Sequence, residues 1–155
     1  MLRLLIFVFI FLANQIQARV KPVMFEQIEA LQKEDEKLVM VLIETDWCKY
    51  CQSMRYAMKN DKRLSMILEG NFYTVFLNAE SKNDIKFAGK QFSYKPAGVN
   101  TGVHKLAEQL GSLNGQLSFP TLCFLNKQNE IVYQYSGFLD TPSLLKVLNT
   151  LSVNK

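Results

Sequence analysis

Apolar and polar positions along the chain follow two rhythms, and the points where the rhythm changes mark its elements. From Val23 to Lys37, Phe25, Ile28 and Leu31 recur every three residues among charges, which predicts an amphipathic helix. Leu38 to Ile43 (LVMVLI) is a short, unbroken apolar run with β-branched members, the pattern of a buried strand. From Lys49 the helical rhythm returns. Cys51, Met54, Tyr56 and Met58 stand among Gln, Ser, Arg and Lys, and the pattern continues toward Leu68 until Gly70-Asn71 stops it. Within or after that helix, Lys59-Asn60-Asp61-Lys62-Arg63 reads as a solvated bend. Phe72 to Leu77 (FYTVFL) is a second strand of β-branched and aromatic residues.

Ser81 to Ser118 has the weakest rhythm. Lys82 to Gly102 is polar and carries Gly89, Pro96, Gly98 and Gly102, which predicts loop or a short hairpin. Val103, Leu106, Ala107 and Leu110, closed by Gly111, predict a short helix. Thr121 to Leu125 (TLCFL) is a third buried strand. A turn at Asn126 to Asn129 separates it from Ile131 to Tyr135, so these two strands should be antiparallel. Gly137 breaks the chain. Thr141-Pro142 then opens a final helix with Leu144, Leu145, Val147, Leu148 and Leu151 on its apolar face. The first half is therefore a βαβ unit, with parallel strands and a right-handed crossover. The second half is a hairpin closed by a helix. The expected class is α/β, with helices on both faces of one mixed central sheet.

Composition narrows the picture further. At 155 residues, 48% apolar and 21% charged, the chain is globular rather than disordered and fits one domain. Its net charge of +4, without a Lys/Arg run, supports no nucleic-acid footprint. The N-terminus is unlike the rest. Met1-Leu2-Arg3 carries one positive charge, Leu4 to Ala13 is wholly apolar, and Asn14-Gln15-Ile16-Gln17 leads to Ala18. Charged start, short apolar core and small residue at the cut are the parts of a secretory signal peptide. The expectation is a signal peptide over 1–18 and one domain over 19–155. An uncleaved N-terminal anchor is the alternative, although a spanning helix needs about 20 apolar residues.

Export changes how the cysteines are read, because disulfides form and persist outside the cytosol. There are three: the close pair Cys48 and Cys51, and Cys123 apart. The pair falls between a predicted strand and a predicted helix. A helix N-terminus offers unpaired N–H groups and about half a positive charge. A thiolate at Cys48 is stabilised there, below the free value near 8.5. Cys51 lies one turn further in. Cys48 can attack a partner disulfide and Cys51 can resolve the mixed disulfide. Lys49 adds a nearby positive charge, which favours the thiolate and a more oxidising pair. A purely structural disulfide is the alternative. Zinc fits less well: it wants four ligands, and beyond the pair the only candidates of N/S type are Cys123 and His104, with no second Cys-x-x-Cys. No metal and no organic cofactor is expected, because the two sulfurs carry the electrons.

Taken together, Trp47-Cys48-Lys49-Tyr50-Cys51 after an apolar strand, Phe119-Pro120-Thr121 before the third strand, and a last helix after Gly137-Phe138 resemble the thioredoxin family. The resemblance spans nearly all of the chain after the leader, apart from the longer stretch Ser81 to Ser118. It implies the thioredoxin fold, with about four strands in a mixed central sheet. It also implies a cis peptide bond at Pro120, which leaves the Phe119 backbone to pair with an extended substrate segment. Trp47 would be an apolar rim to the site, or else a packing residue at the strand end. The nearest likeness is to cell-envelope members, such as the C-terminal domains of membrane thiol:disulfide interchange proteins. That makes a periplasmic or cell-envelope location the expectation. Its partners would be proteins with thiols or disulfides and a redox partner, a membrane electron donor in the case of a reductase, with the chain acting as a monomer.

One departure is clear. Many members carry a buried carboxylate six residues before the first Cys, where this chain has Leu42. Glu44 can serve as a substitute proton relay, but a solvated carboxylate at the strand end is the expected reading. Other residues carry weaker signals. Cys123, between Leu122 and Phe124, reads as core rather than as a regulatory thiol. His104 reads as a surface or cap residue. Met24, Met40, Met54, Met58 and Met66 read mostly as packing rather than as copper ligands. The expected activity is thiol:disulfide exchange, with the chain as reductase. The alternatives are a dithiol oxidase and a redox-inactive binding module with a structural disulfide.

Overall fold

The computed structural model describes residues 20–153, so the leader read over 1–18 lies outside the described residues. Helix α1 spans Phe25–Glu34, strand β1 Leu38–Glu44, helix α2 Lys49–Asn60, helix α3 Lys62–Asn71 and strand β2 Phe72–Asn78. Short strands β3 (Ile85–Phe87), β4 (Lys90–Phe92), β5 (Tyr94–Gly98) and β6 (Thr101–His104) follow, then helix α4 (Lys105–Gly111). The chain ends with β7 (Ser112–Leu113), β8 (Gln116–Leu117), β9 (Thr121–Leu125), β10 (Ile131–Ser136) and helix α5 (Thr141–Val153).

Four strands form one sheet in the order β10-β9-β1-β2. β1 and β2 run parallel from Leu38↔Phe72 to Glu44↔Asn78, while β9 is antiparallel to both β1 and β10. This is the mixed sheet expected from a βαβ unit joined to a hairpin. Side chains alternate across β1. Val39, Val41 and Ile43 face one core with α1 and α4; Met40 and Leu42 face a second with α2, α3 and α5. Helices thus cover both faces. Phe124, Leu122, Met54 and Met58 are fully buried in the second core. Each such side chain contributes about 1.5–3 kcal/mol by leaving water. No described helix is long and apolar enough to cross a membrane.

The predicted bend is a sharp break at Asp61. Its N–H closes α2 on the Ala57 carbonyl, and its carboxylate accepts the N–H groups of Arg63 and Leu64 to open α3. One residue therefore serves both helix ends. The helical pattern ends at Gly70-Asn71 as expected, with Asn71 the last residue of α3. Two of the five methionines named above, Met24 and Met66, are exposed rather than packed.

The stretch Ser81 to Ser118 is more ordered than its composition predicts. It forms three antiparallel hairpins, β3/β4, β5/β6 and β7/β8, around α4. The strands are two to five residues long, too short for a period of two to register in the sequence. Val103 belongs to β6 and not to the helix. His104 is the N-cap of α4 as expected, yet it is buried and not at the surface. Its Nδ1 accepts the Leu106 N–H at 3.2 Å, so Nε2 carries the proton and donates to the Asn83 carbonyl at 3.1 Å. The β5/β6 hairpin depends on Gly102, where a Cβ would overlap the Lys95 carbonyl and the Tyr94 ring. Gly102→Ala is expected to cost about 1–2 kcal/mol through overpacking, measured as a shift of the denaturation midpoint.

Candidate redox site

The register of β1 against β9 places the site. Ile43 pairs with Thr121, so the end of β1 that leads to Cys48 lies beside the start of β9, which Pro120 precedes. Residues far apart in sequence meet at one sheet end. Cys48 is the N-cap of α2 and Cys51 lies in its first turn. The two are joined by a disulfide of 2.06 Å, with Cα atoms 5.3 Å apart. The Cys51 N–H donates to Cys48 Sγ at 3.1 Å. The Cys48 sulfur thus already sits where a helix N-terminus favours negative charge. Cys51 is fully buried and Cys48 nearly so, which fits an attacking sulfur at the surface and a resolving one behind it.

The Phe119–Pro120 peptide bond is cis. Among the described residues, the backbone N–H and C=O of Phe119 make no hydrogen bond. The Pro120 carbonyl accepts the Gly137 N–H at 2.8 Å, and the Ser118 and Ser136 hydroxyls meet, tying this turn to the end of β10. Trp47 is 66% exposed, so it is not packed into the strand end. Its Nε1 donates to Glu80 Oε1 at 3.0 Å and its ring meets that of Phe119 edge-on, centroids 6.0 Å apart. Lys49 is exposed beside Cys48, where water screens its charge.

Residues 24–152 match the thioredoxin-like domain family. The chain belongs to that family. No curated protein sequence matches the chain. The thioredoxin-like fold recurs in a thioredoxin from Thermus thermophilus, 21% identical, with 88% of this chain and 89% of that one covered at a TM-score of 0.60. A disulphide isomerase from Xylella fastidiosa is 13% identical over 81% and 86%, TM-score 0.56. The DsbH oxidoreductase is 14% identical over 86% and 85%, TM-score 0.59. At these identities the likeness concerns the fold. Membership of the thioredoxin-like family and an intact Cys-x-x-Cys pair make the chain a protein-disulfide oxidoreductase.

Glu44 corrects the expectation of a solvated carboxylate. It is buried, with Oε1 accepting from Arg55 Nη1 at 2.8 Å, while Oε2 has no partner among the described residues. Burial pushes its pKa up; Arg55 and, more weakly, Lys59 oppose that, and Asp46 adds to it. The strand runs one residue further than Ile43, and the face that Leu42 shares with α2 takes Glu44 as well. Arg55 and Glu80 were not legible as site residues, because each acts through a contact distant in sequence. Cys123 is buried in the first core, where burial pushes its thiol up to about 12, so it is inert packing in this thioredoxin-like protein. Among the described residues, no three His, Cys, Asp or Glu side chains gather to hold a metal.

Proposed function

We propose that the chain works outside the cytosol as a monomeric disulfide reductase for protein substrates, fed by a membrane electron donor. The observation that carries this is the Cys48–Cys51 disulfide at the start of α2 beside the unpaired Phe119 backbone. In the reduced protein, the Cys48 thiolate attacks a substrate disulfide and expels one substrate thiolate. Cys51 then gives up its proton and attacks Cys48 Sγ, which expels the second substrate thiolate and restores the disulfide. Two electrons pass to the substrate, and a dithiol donor returns them.

Each remaining residue has a part. Phe119 lends its backbone to an extended substrate, Pro120 holds that backbone open, and Trp47 supplies an apolar edge. Glu44 receives the Cys51 proton: it is a buried carboxylate with one free oxygen, on the β1 face that packs against α2. Lys49 adds a screened positive charge beside Cys48, secondary to the helix N-terminus. That weak contribution supports reductase over oxidase. Export rests on the leader pattern over 1–18.

Equilibration of the chain from residue 19 in glutathione buffers tests the direction. A potential near about −270 mV is expected of the reductase. A value near about −120 mV would make it an oxidase, and a pair still oxidised far below about −300 mV would make the disulfide structural.

A further inference from the structure

The stretch Ser81 to Ser118 holds five lysines and two acids, while the rest of the chain from residue 19 is balanced at twelve cations and twelve acids. The whole net positive charge of the domain therefore lies in this one stretch. Lys82, Lys86, Lys90, Lys95 and Lys105 are exposed, and none has an ion-pair partner among the described residues. Asp84 is taken up by Gln91 Nε2 at 2.7 Å. Lys86 shares a cleft with Glu26 and Glu29, so the other four are freer. Like charges left uncompensated repel one another and cost stability. Only Ser93 separates β4 from β5, and the Lys105 N–H binds the Ser93 carbonyl at 3.1 Å, so Lys90, Lys95 and Lys105 lie close to the junction of the two hairpins. Beyond that junction the β5/β6 hairpin is uncharged from Pro96 to Val103, and Val99 at its turn is 92% exposed. The hairpin pairs with no strand of the central sheet, and a lone two-stranded hairpin is marginal in water. It starts from the redox end of the sheet. The His104 N–H binds the Ala79 carbonyl at 2.7 Å, and the Ala79 N–H binds the Glu44 carbonyl at 2.8 Å, at the end of β1 from which the chain runs to Cys48.

We infer that this stretch docks the protein on an anionic lipid bilayer, with Val99 entering the headgroup layer and Lys90, Lys95 and Lys105 meeting the lipid phosphates. The residue types favour lipid over protein. All five cations are lysine and none is arginine. A carboxylate on a protein face is best met by the planar fork of arginine, and lysine is depleted in protein interfaces. Diffuse headgroup charge asks only for point charges near the surface. The hairpin tip is aliphatic and lacks the Trp, Tyr or Arg that anchors protein partners. Docking goes beyond the proposed reduction and holds whichever way the electrons flow. It keeps the sheet end that leads to Cys48 close to the bilayer.

Co-sedimentation of the domain from residue 19 with lipid vesicles tests this. Vesicles of phosphatidylglycerol and phosphatidylcholine in equal parts are expected to bind it, and vesicles of phosphatidylcholine alone are not. Lys90→Gln with Lys95→Gln should weaken binding about 25-fold, since each lysine near a charged surface contributes a factor of about five. Val99→Asp should weaken it about tenfold, by removing the apolar contact. Salt at about 1 M, where the Debye length is about 3 Å, should release the protein. The substituted residues are exposed, so the variants should keep the thermal midpoint of the parent. Equal binding to both kinds of vesicle, or binding to neither, would overturn the inference. So would parent-like vesicle binding by Val99→Asp together with retention of the domain on poly-glutamate, which would make the partner an acidic polypeptide.

Discussion

Cys48→Ser will reduce insulin no faster than the dithiol donor alone, and Cys51→Ser will stop after a single turnover with its partner still attached. The two losses differ in kind because the sulfurs differ in place. Cys48 caps α2, with its sulfur accepting the Cys51 N–H, so the thiolate forms where a helix N-terminus favours charge. A serine hydroxyl there cannot be the nucleophile of thiol:disulfide exchange. Cys51 is sealed in the first turn and has no access to a large substrate. Its work begins once the mixed disulfide exists, so its removal leaves attack intact and blocks release. Non-reducing gels of Cys51→Ser incubated with an envelope extract should show adducts that dithiothreitol dissolves and that the double variant lacks. Full insulin reduction by Cys48→Ser would sink the assignment of the nucleophile. Partner retention by both variants without any covalent adduct would favour a binding module.

How much of this was legible in the sequence follows from the range of the forces involved. LVMVLI and TLCFL are read as strands because burial on both faces demands continuous apolar runs, and both lie in the middle of the sheet. The disulfide pair was legible because its two members lie three residues apart at a strand-to-helix junction, all within local pattern. Pro120 was legible through resemblance alone, since the physics of an X–Pro bond seldom favours cis. What was missed depends on contacts across the chain. The burial of His104 follows from a carbonyl 21 residues earlier, at Asn83. Glu44 is next to polar residues in sequence, but α2 brings Arg55 over it, eleven residues on. A carboxylate at a strand end reads as solvated until the helix that covers it is placed. The same holds for Phe138, whose ring meets that of Tyr50 from far along the chain.

The Glu44–Arg55 pair gives the second large effect, and its sign depends on pH. Burial raises the Glu44 pKa above its ordinary value of 4.5 despite the guanidinium at 2.8 Å. A carboxyl with a raised pKa in the folded state contributes stability that is present below the unfolded value and lost as pH rises through the folded value. Arg55 limits that loss. Arg55→Met removes the guanidinium, which lies over the Phe76 ring as well as against Glu44, and keeps an unbranched apolar stem, so the folded pKa of Glu44 climbs further and the loss at neutral pH grows. The expected cost near pH 7 is about 2–3 kcal/mol, less than for a fully buried pair because the Arg55 side chain is 34% exposed. Below pH 4 the carboxyl is protonated in both states, and the difference should shrink to under about 1 kcal/mol. Urea midpoints across this range measure it. Adding Glu44→Gln to Arg55→Met should restore most of the neutral-pH stability, since no buried charge is then left uncompensated. A cost independent of pH would mean that Arg55 acts by packing alone. Glu44→Gln by itself also separates structure from chemistry. If Glu44 takes the Cys51 proton, this variant should slow release from the mixed disulfide, with the rate of the first attack by Cys48 unchanged. Equal rates for both steps in the variant and the parent would confine Glu44 to its ion pair with Arg55.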